Sequence, residues 1–570
     1  MKKVLRNLKK YTLESVLGPV FKLLEASFEL MVPLVVLKIV DVGIPAGNNT
    51  YIFQMFLVLL LFAALGFGCT LVAQYFAAKA ATGFARDLRQ QLFAKIQSLS
   101  FAQIDRVGTT TLISRMTTDV DQLQNGVNLT LRLFLRSPFV VFGAMIMAFT
   151  IDVNLALIFA VVIPVLAVVV FGIMAITIPM HSRVRNNLDK VSRKARENLT
   201  GARVIRAFNL EDSEYAEFAY ANQVLTKSNI LVGRFTAAMN PLTYLIINCA
   251  IVLLIKKGAI TVETGVITQG GLIALYNYMS QILVELIKLA NLIVNITRSM
   301  ACGRRIEVVL DLESAPSGSV NVSQETGTVE FQNVSMSYSG AEVLSNVSFK
   351  ANRGETIGII GGTGSGKSTL VSLIAGYYQA SSGTIKIDGI DIDRWNKEEL
   401  NRRVSTVMQE AKLFSGTIRD NLQYGGKGAT DQELMKAVSV AQAIDVVESK
   451  GGLDGKILQG GKNLSGGQRS RLSIARSIAA CPEILILDDS SAALDYITDY
   501  NLRCAISALN PKPTTFVVSQ RTSAVANADK IIVLDEGRVV GIGTHLELLS
   551  TCDVYREIHD SQFSQEVSHG

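Results

Sequence analysis

Charge is scarce in this chain. Of its 570 residues only 18% are Asp, Glu, Lys or Arg, while 49% are hydrophobic. Such an average is unusual for a soluble protein and is expected to hide a membrane part beside a soluble part. The net charge of +6 is modest for the length. The basic residues are therefore expected to face lipid headgroups, and nucleic acid is not an expected partner. Cysteines are few and scattered (Cys69, Cys249, Cys302, Cys481, Cys504, Cys552), with no C-x-x-C. That argues against a disulfide framework or a zinc site and for reduced thiols. A cleavable signal is missing too. Lys2, Lys3, Arg6, Lys9 and Lys10 precede an apolar region that is too long and carries charges. This basic segment is expected to lie on the cytoplasmic membrane face. No peptidase-like stretch precedes the first apolar span, so leader-peptide processing is not expected.

What is present first is a glycine loop. Gly361-Gly362-Thr363-Gly364-Ser365-Gly366-Lys367-Ser368 follows an apolar run, Thr356–Ile360, and precedes a helical pattern that continues through Thr369. Strand, glycine loop and helix start in that order make a phosphate cradle of backbone N–H groups. The spacing G-x-x-x-x-G-K-[ST] assigns Lys367 to the β/γ-phosphates and the Ser368 hydroxyl to Mg²⁺. The chain is expected to bind a nucleoside triphosphate.

The apolar residues concentrate in the first half. Six candidate spans run roughly Leu17–Val40, Tyr51–Ala78, Pro138–Ile151, Leu155–Ile178, Pro241–Ile255 and Gly271–Val294. About 20 apolar residues cross the hydrocarbon as a helix, so the third and fifth are short. The connections after the second and fourth spans are rich in Lys and Arg, among them Arg86, Arg89, Lys95, Arg185, Lys190 and Arg196. Asp41–Thr50 and Asp152–Asn154 hold none; Lys256 and Lys257 dissent. Positive residues stay inside, so both long connections face the cytoplasm. Phe84–Ile104 and Val184–Arg206 keep helical spacing, so the helices should extend beyond the bilayer as two hairpins. Their ends, near Ser100–Arg106 and Ala202–Leu210, are either solvated charged faces or contacts with the phosphate-binding domain. Lys22, Glu25, Glu29, Glu285 and Lys288 fall inside spans. They read either as i,i+3 pairs, Lys22 with Glu25 and Glu285 with Lys288, or as part of a polar translocation path.

The expected organisation is a membrane domain over 1–311, a Ser/Gly/Glu/Asn linker over 312–327 and an α/β domain over 328–570. Four stretches in the last segment fit the glycine loop. Ile484–Asp488 is an apolar strand ending in a carboxylate suited to Mg²⁺. Leu464-Ser465-Gly466-Gly467-Gln468 opens a helix and offers a second anion-binding end. Gln409 could reach Mg²⁺ or the attacking water, or be a plain loop amide. Tyr338 could stack on adenine, worth about 1–3 kcal/mol, or be an ordinary strand tyrosine.

Together, Lys367 and Ser368 in the Walker A loop, Gln409, the LSGGQ at 464–468, Asp488 and Asp495 in Ala-Ala-Leu-Asp resemble an ATP-binding cassette domain. With six spans and two inward hairpins, the whole chain resembles a half-transporter of the ABC exporter family. The resemblance implies a type IV exporter fold: an all-α six-helix transmembrane domain followed by an α/β P-loop nucleotide-binding domain. It implies ATP and Mg²⁺ as ligands, and ATP sandwiched between the Walker loops of one cassette and the LSGGQ of a second half-transporter. It also implies coupling helices at the hairpin ends. Cassette ATPases of DNA repair have no such spans.

Three positions depart from that family's pattern. Asp489 stands where a water-polarising glutamate is usual, Gln520 where a histidine touches the γ-phosphate, and Gln459 where a glutamate precedes LSGGQ. Asp withdraws its carboxylate by roughly 1–1.5 Å from a group that must come within about 2.6–3.2 Å. Gln cannot be an imidazolium. The expectation is MgATP binding with poor hydrolysis at this chain's Walker side, and an LSGGQ that completes a partner's site. A heterodimer follows most simply; a slow homodimer is the other arrangement. The expected function is ATP-driven export of small amphipathic or lipophilic compounds across a plasma membrane, bacterial by its short outer loops. A regulatory ATP-binding subunit and an importer on the same architecture are the alternatives.

Overall fold

The structure is a computed structural model that describes residues 1–313, 318–320, 327–338, 340–490 and 492–563. Most of the expected linker, 314–317 and 321–326, lies outside the described residues. The chain forms two compact units: Met1–Gln97 with Val107–Leu312, and Ser98–Arg106 with Glu313–Gly570.

The first unit is helical. Its long elements are α1 (Thr12–Lys38), α2 (Asn49–Gln97), the helical run α3 (Thr109–Ile151), α4 (Val153–Thr200), α5 (Glu211–Glu263) and α6 (Gln269–Asp311). Asp152 starts α4 by accepting from Leu155 N at 2.7 Å, and Thr268 starts α6 by accepting from Gly271 N at 3.1 Å. Such side chains satisfy backbone donors that a helix start leaves open. The core of this unit joins Ala26 and Leu30 of α1 to Val140 and Ala144 of α3, Phe159 of α4, Ile247 of α5, and Tyr278 and Met279 of α6. The Tyr278 hydroxyl donates to Leu30 O at 2.7 Å, so a buried phenol has its partner.

Five helices, α2 to α6, are long and apolar enough to cross a membrane. The sequence predicts six spans; α1 falls short because Lys22, Glu25 and Glu29 interrupt its apolar stretch. Those charges are not alone. Arg136, at the start of the apolar part of α3, donates to Glu285 of α6 and to Glu29 of α1, both at 2.6 Å, with Glu25 at 3.8 Å. Lys288 meets Glu285 at 2.8 Å and Lys22 pairs with Glu25, so both i,i+3 pairs read from the sequence form. Three cations face three anions, and the guanidinium that joins them is 7% exposed.

Among the described residues the second unit contains two main sheets and a two-stranded pairing of Gly416–Thr417 with Lys456–Ile457. Strands β1 (Val329–Tyr338), β2 (Ala341–Ala351) and β4 (Ser382–Ile387) form an antiparallel sheet ordered β2-β1-β4, extended by Ile390–Asp391. The larger sheet is ordered β9 (Arg538–Gly543), β8 (Lys530–Asp535), β3 (Thr356–Gly361), β7 (Thr514–Val518), β6 (Ile484–Asp488) and β5 (Val404–Val407). All its pairs are parallel except β8 with β9. β6 and β7 are buried along their whole length, as expected of parallel strands covered on both faces. Helices α7 (Lys367–Ile374) and α8 (Gly466–Ala479) follow the two Gly-rich turns. The short helix Phe101–Val107 contributes to this unit: Phe101 packs on Tyr377 with ring centroids 4.4 Å apart, and the Tyr378 hydroxyl donates to Asp105.

Removing Arg136 leaves Glu285 and Glu29 without their shared cation. Arg136→Met is expected to destabilise the helical unit by about 3–5 kcal/mol. Adding Glu285→Gln should recover part of that. Thermal unfolding of the detergent-solubilised chain measures both; an unshifted midpoint for the single variant would show the cluster to be energetically idle.

Candidate functional site

Four parallel strands end at one edge of the larger sheet, and most of the expected site residues lie just past those ends. β3 runs into the glycine loop and α7; β6 ends on Asp488 and is followed by Asp489. β7 is followed by Ser519 and Gln520, and β5 by Met408 and Gln409. The carboxyl ends of parallel strands are where such sheets receive ligands. Within the loop, Gly364 and Gly366 hold φ of +85° and +96°, a backbone region that other residues enter only with strain.

A cavity of about 300 Å³ opens here. Thr363, Gly364, Gly366, Lys367, Ser368, Thr369, Gln409, Asp488, Asp489 and Gln520 line it, with Val343 and Val518 as apolar walls. The Lys367 ammonium donates to Gly361 O at 2.9 Å and Gly362 O at 2.6 Å. The Ser368 hydroxyl donates to Asp488 Oδ1 at 3.1 Å. Asp489 has a φ of +45°; its N–H donates to Val518 O at 3.1 Å, and its carboxylate accepts a long bond of 3.5 Å from Gln409.

The electrostatics fit an anion bound with a cation. Burial lowers the Lys367 pKa, against the pull of Asp489 and Asp488. Burial raises Asp488; Asp489 adds to the shift while the Ser368 hydroxyl and Lys367 oppose it. Burial also raises Asp489, opposed by Lys367 and Arg521. One ammonium and two carboxylates share a half-buried space, so both signs are held away from water. The Ser365 hydroxyl is buried without a partner, a donor that a phosphate oxygen would satisfy.

Other expected residues sit elsewhere. Tyr338 meets Tyr378 edge-on, with centroids 5.2 Å apart, and does not line the cavity. Ser465 and Gln468 cap α8 reciprocally at 2.9 and 3.2 Å, a capping box. Leu464 is buried, and Gly466 lines a second cavity of about 640 Å³ with Gln409, Gln459, Arg469 and Asp489. Asp495 accepts from Thr498 N at 3.1 Å as the N-cap of Tyr496–Ser507. The two apolar walls and Arg521 have no motif to announce them.

Comparison with known proteins settles the family. Residues 15–286 match the ABC transporter transmembrane region and residues 344–492 the ABC transporter family. The chain is 37% identical over 542 residues to an ABC transporter ATP-binding protein of Mycobacterium tuberculosis, covering 94% of this chain and 93% of that one. This chain belongs to the ABC transporter family, as an exporter half-transporter. ABC transporter ATP-binding protein YfiB of Bacillus subtilis is 35% identical over the full length of both chains. An ATP-dependent lipid A-core flippase of Colwellia psychrerythraea is 29% identical, with 92% and 90% covered. The fold is that of a bacterial Atm1-family ABC exporter solved with ATP bound: TM-score 0.81, 23% identity, 98% and 99% covered. The half-transporter is a multi-pass membrane protein whose cytoplasmic ATPase domain couples ATP hydrolysis to transport, and exporters of this family work as dimers.

Asp488 must be ionised to attract a cation, and its pKa lies above the ordinary carboxylate value of about 3.9. Protonation therefore favours the empty fold; the ionised form weakens it as pH rises through the shifted value, and a bound cation offsets that. Mg²⁺-dependent ATP binding should accordingly fail on acidification at a pH higher than an ordinary aspartate would give. Ser368→Ala should move that midpoint further up, because the hydroxyl favours the charged form. Nucleotide fluorescence titrations across pH test this; a Ser368→Ala midpoint at or below wild type would refute it.

Proposed function

We propose that this half-transporter is the slow-site subunit of a heterodimeric exporter of amphipathic or lipophilic compounds. The observation that carries the reading is the pair Asp489 and Gln520 at the mouth of the phosphate cavity. In this reading Lys367 and the loop Gly361–Gly366 hold the triphosphate, with Thr369 beside it, and Ser368, Gln409 and Asp488 hold Mg²⁺. The metal would supply charge neutralisation at the phosphates. One methylene shorter than glutamate, Asp489 would hold its carboxylate back from an attacking water, and that carboxylate faces Gln409. Gln520 offers an amide where a charged ring would do more. Tyr338 is assigned to the base side, and Leu464–Gln468 with Asp495 to the partner's nucleotide.

Six spans are proposed, α1 being the sixth, because Arg136 and Lys288 compensate the carboxylates that lower its hydropathy. The membrane domain is 1–311, the linker 312–327 and the cassette 328–570. Assembly is supported by the tip between α4 and α5, where Leu199, Val204 and Phe208 are 79%, 59% and 71% exposed. Apolar side chains that open need cover. The lipid A-core flippase among the relatives supports an amphipathic cargo.

A change of about 1 Å in the position of a catalytic group can cost about a hundredfold in rate. Asp489→Glu with Gln520→His is therefore expected to raise ATP turnover of the purified chain by about that factor. Single-turnover hydrolysis in proteoliposomes gives the answer. Turnover by the wild-type chain alone as fast as by its complex with a glutamate- and histidine-bearing partner would overturn the assignment.

A further inference from the structure

The first unit holds a cavity of about 330 Å³ between α4, α5 and α6, which no part of the nucleotide reading uses. It opens where two of the helices are interrupted by proline: Pro179 in α4 and Pro241 in α5. Each proline removes one backbone rung and crowds the preceding turn, which loosens helix–helix contact there. One wall is apolar, built from Ile173, Met174, Ile178, Met239 and Val294. The other carries His181, Arg185 and Arg298, with the hydroxyls of Thr177, Ser182 and Thr297 between the two. None of the lining residues is acidic. Neither arginine has an ion-pair partner among the described residues, and both side chains are exposed, free to meet a ligand's anion.

An apolar wall beside two unpaired guanidiniums selects a molecule with both features. We infer that this cavity binds amphipathic anions, an alkyl or aryl body on Met239 and Val294 with a phosphate or carboxylate held by Arg185 and Arg298. The inference rests on the exporter reading and narrows its cargo by charge. Guanidinium forks match carboxylate and phosphate oxygens in pairs, which a lysine does not. Cations of the same shape are rejected by the like charge. Two sources share this chemistry, an anionic lipid of the surrounding leaflet and a diffusible amphiphile.

The test uses the full-length chain in phosphatidylcholine nanodiscs, with a dansyl-labelled dodecyl phosphate and the trimethylammonium compound of equal chain length as probes. The phosphate probe is expected to bind and the ammonium probe not. Arg298→Gln and Arg185→Gln should each weaken phosphate binding about tenfold, the effect of losing one charge-assisted hydrogen bond. Arg298→Lys keeps the charge and should recover part of it; Met239→Ala should weaken phosphate-probe binding without admitting the ammonium probe. Adding phosphatidylglycerol to the nanodisc separates the sources: displacement of the probe assigns the cavity to lipid, and undiminished binding assigns it to a diffusible amphiphile. Equal binding of the two probes, or wild-type affinity in both arginine variants, overturns the inference. Vesicle transport distinguishes the two levels. Amphiphile movement without preference for anions refutes this cavity's role alone, and absence of any ATP-driven movement refutes export.

Discussion

The helical unit depends on one guanidinium. Arg136 touches carboxylates on α1 and α6 while sitting on α3, so three helices share a single buried cation. In hydrocarbon, helices gain nothing from hiding apolar surface from each other, and association falls to close packing and polar contacts. A neutral cluster of three acids and three bases gives that contact direction and register, because no other rotation of α1 brings Glu25 and Glu29 to the same arginine. The tight apolar contact around Tyr278 and Leu30 then packs against a framework already positioned by charge.

The nucleotide cavity shows the opposite balance. Among the groups that line it, Asp488 and Asp489 outnumber Lys367, with Arg521 acting on Asp489 as well, and burial pushes all three lining groups toward neutrality. In the free chain Lys367 leans on the loop carbonyls and Ser368 on Asp488. These contacts hold the groups in place but leave their charge uncompensated. The groups that line the cavity are thus held by contacts within the chain itself.

What the sequence disclosed follows the range of the physics involved. The glycine loop, Lys367 and Ser368 were legible because a phosphate cradle is local: its residues are neighbours along the chain. Asp488 was legible because it closes an unbroken apolar strand, a pattern contained within five consecutive residues. Asp495 caps Tyr496–Ser507, a role that its place just before a helical stretch also makes local. Arg136 could not be read at all. Its partners are more than a hundred residues away, and it stands at the edge of a span rather than within one. Val343, which lines the cavity from β2, and Arg521, whose charge acts on Asp489, carry no motif to mark them. Hydropathy alone set α1 apart from its neighbours, because a window average cannot see that a charge is paired in space.

The short helix Phe101–Val107 meets the cassette through Tyr377 and Tyr378, and those two tyrosines lie just beyond α7, the helix that begins at Lys367. α7 has eight residues, a strut of about 12 Å. One end of this strut carries the ammonium reserved for phosphate, and the other abuts a ring fastened by Asp105 to a segment continuous with α2 and α3. A rod so short has little room to flex. A tilt at its first residue would be felt at Tyr377 and Tyr378, and at the Phe101 and Asp105 that they touch.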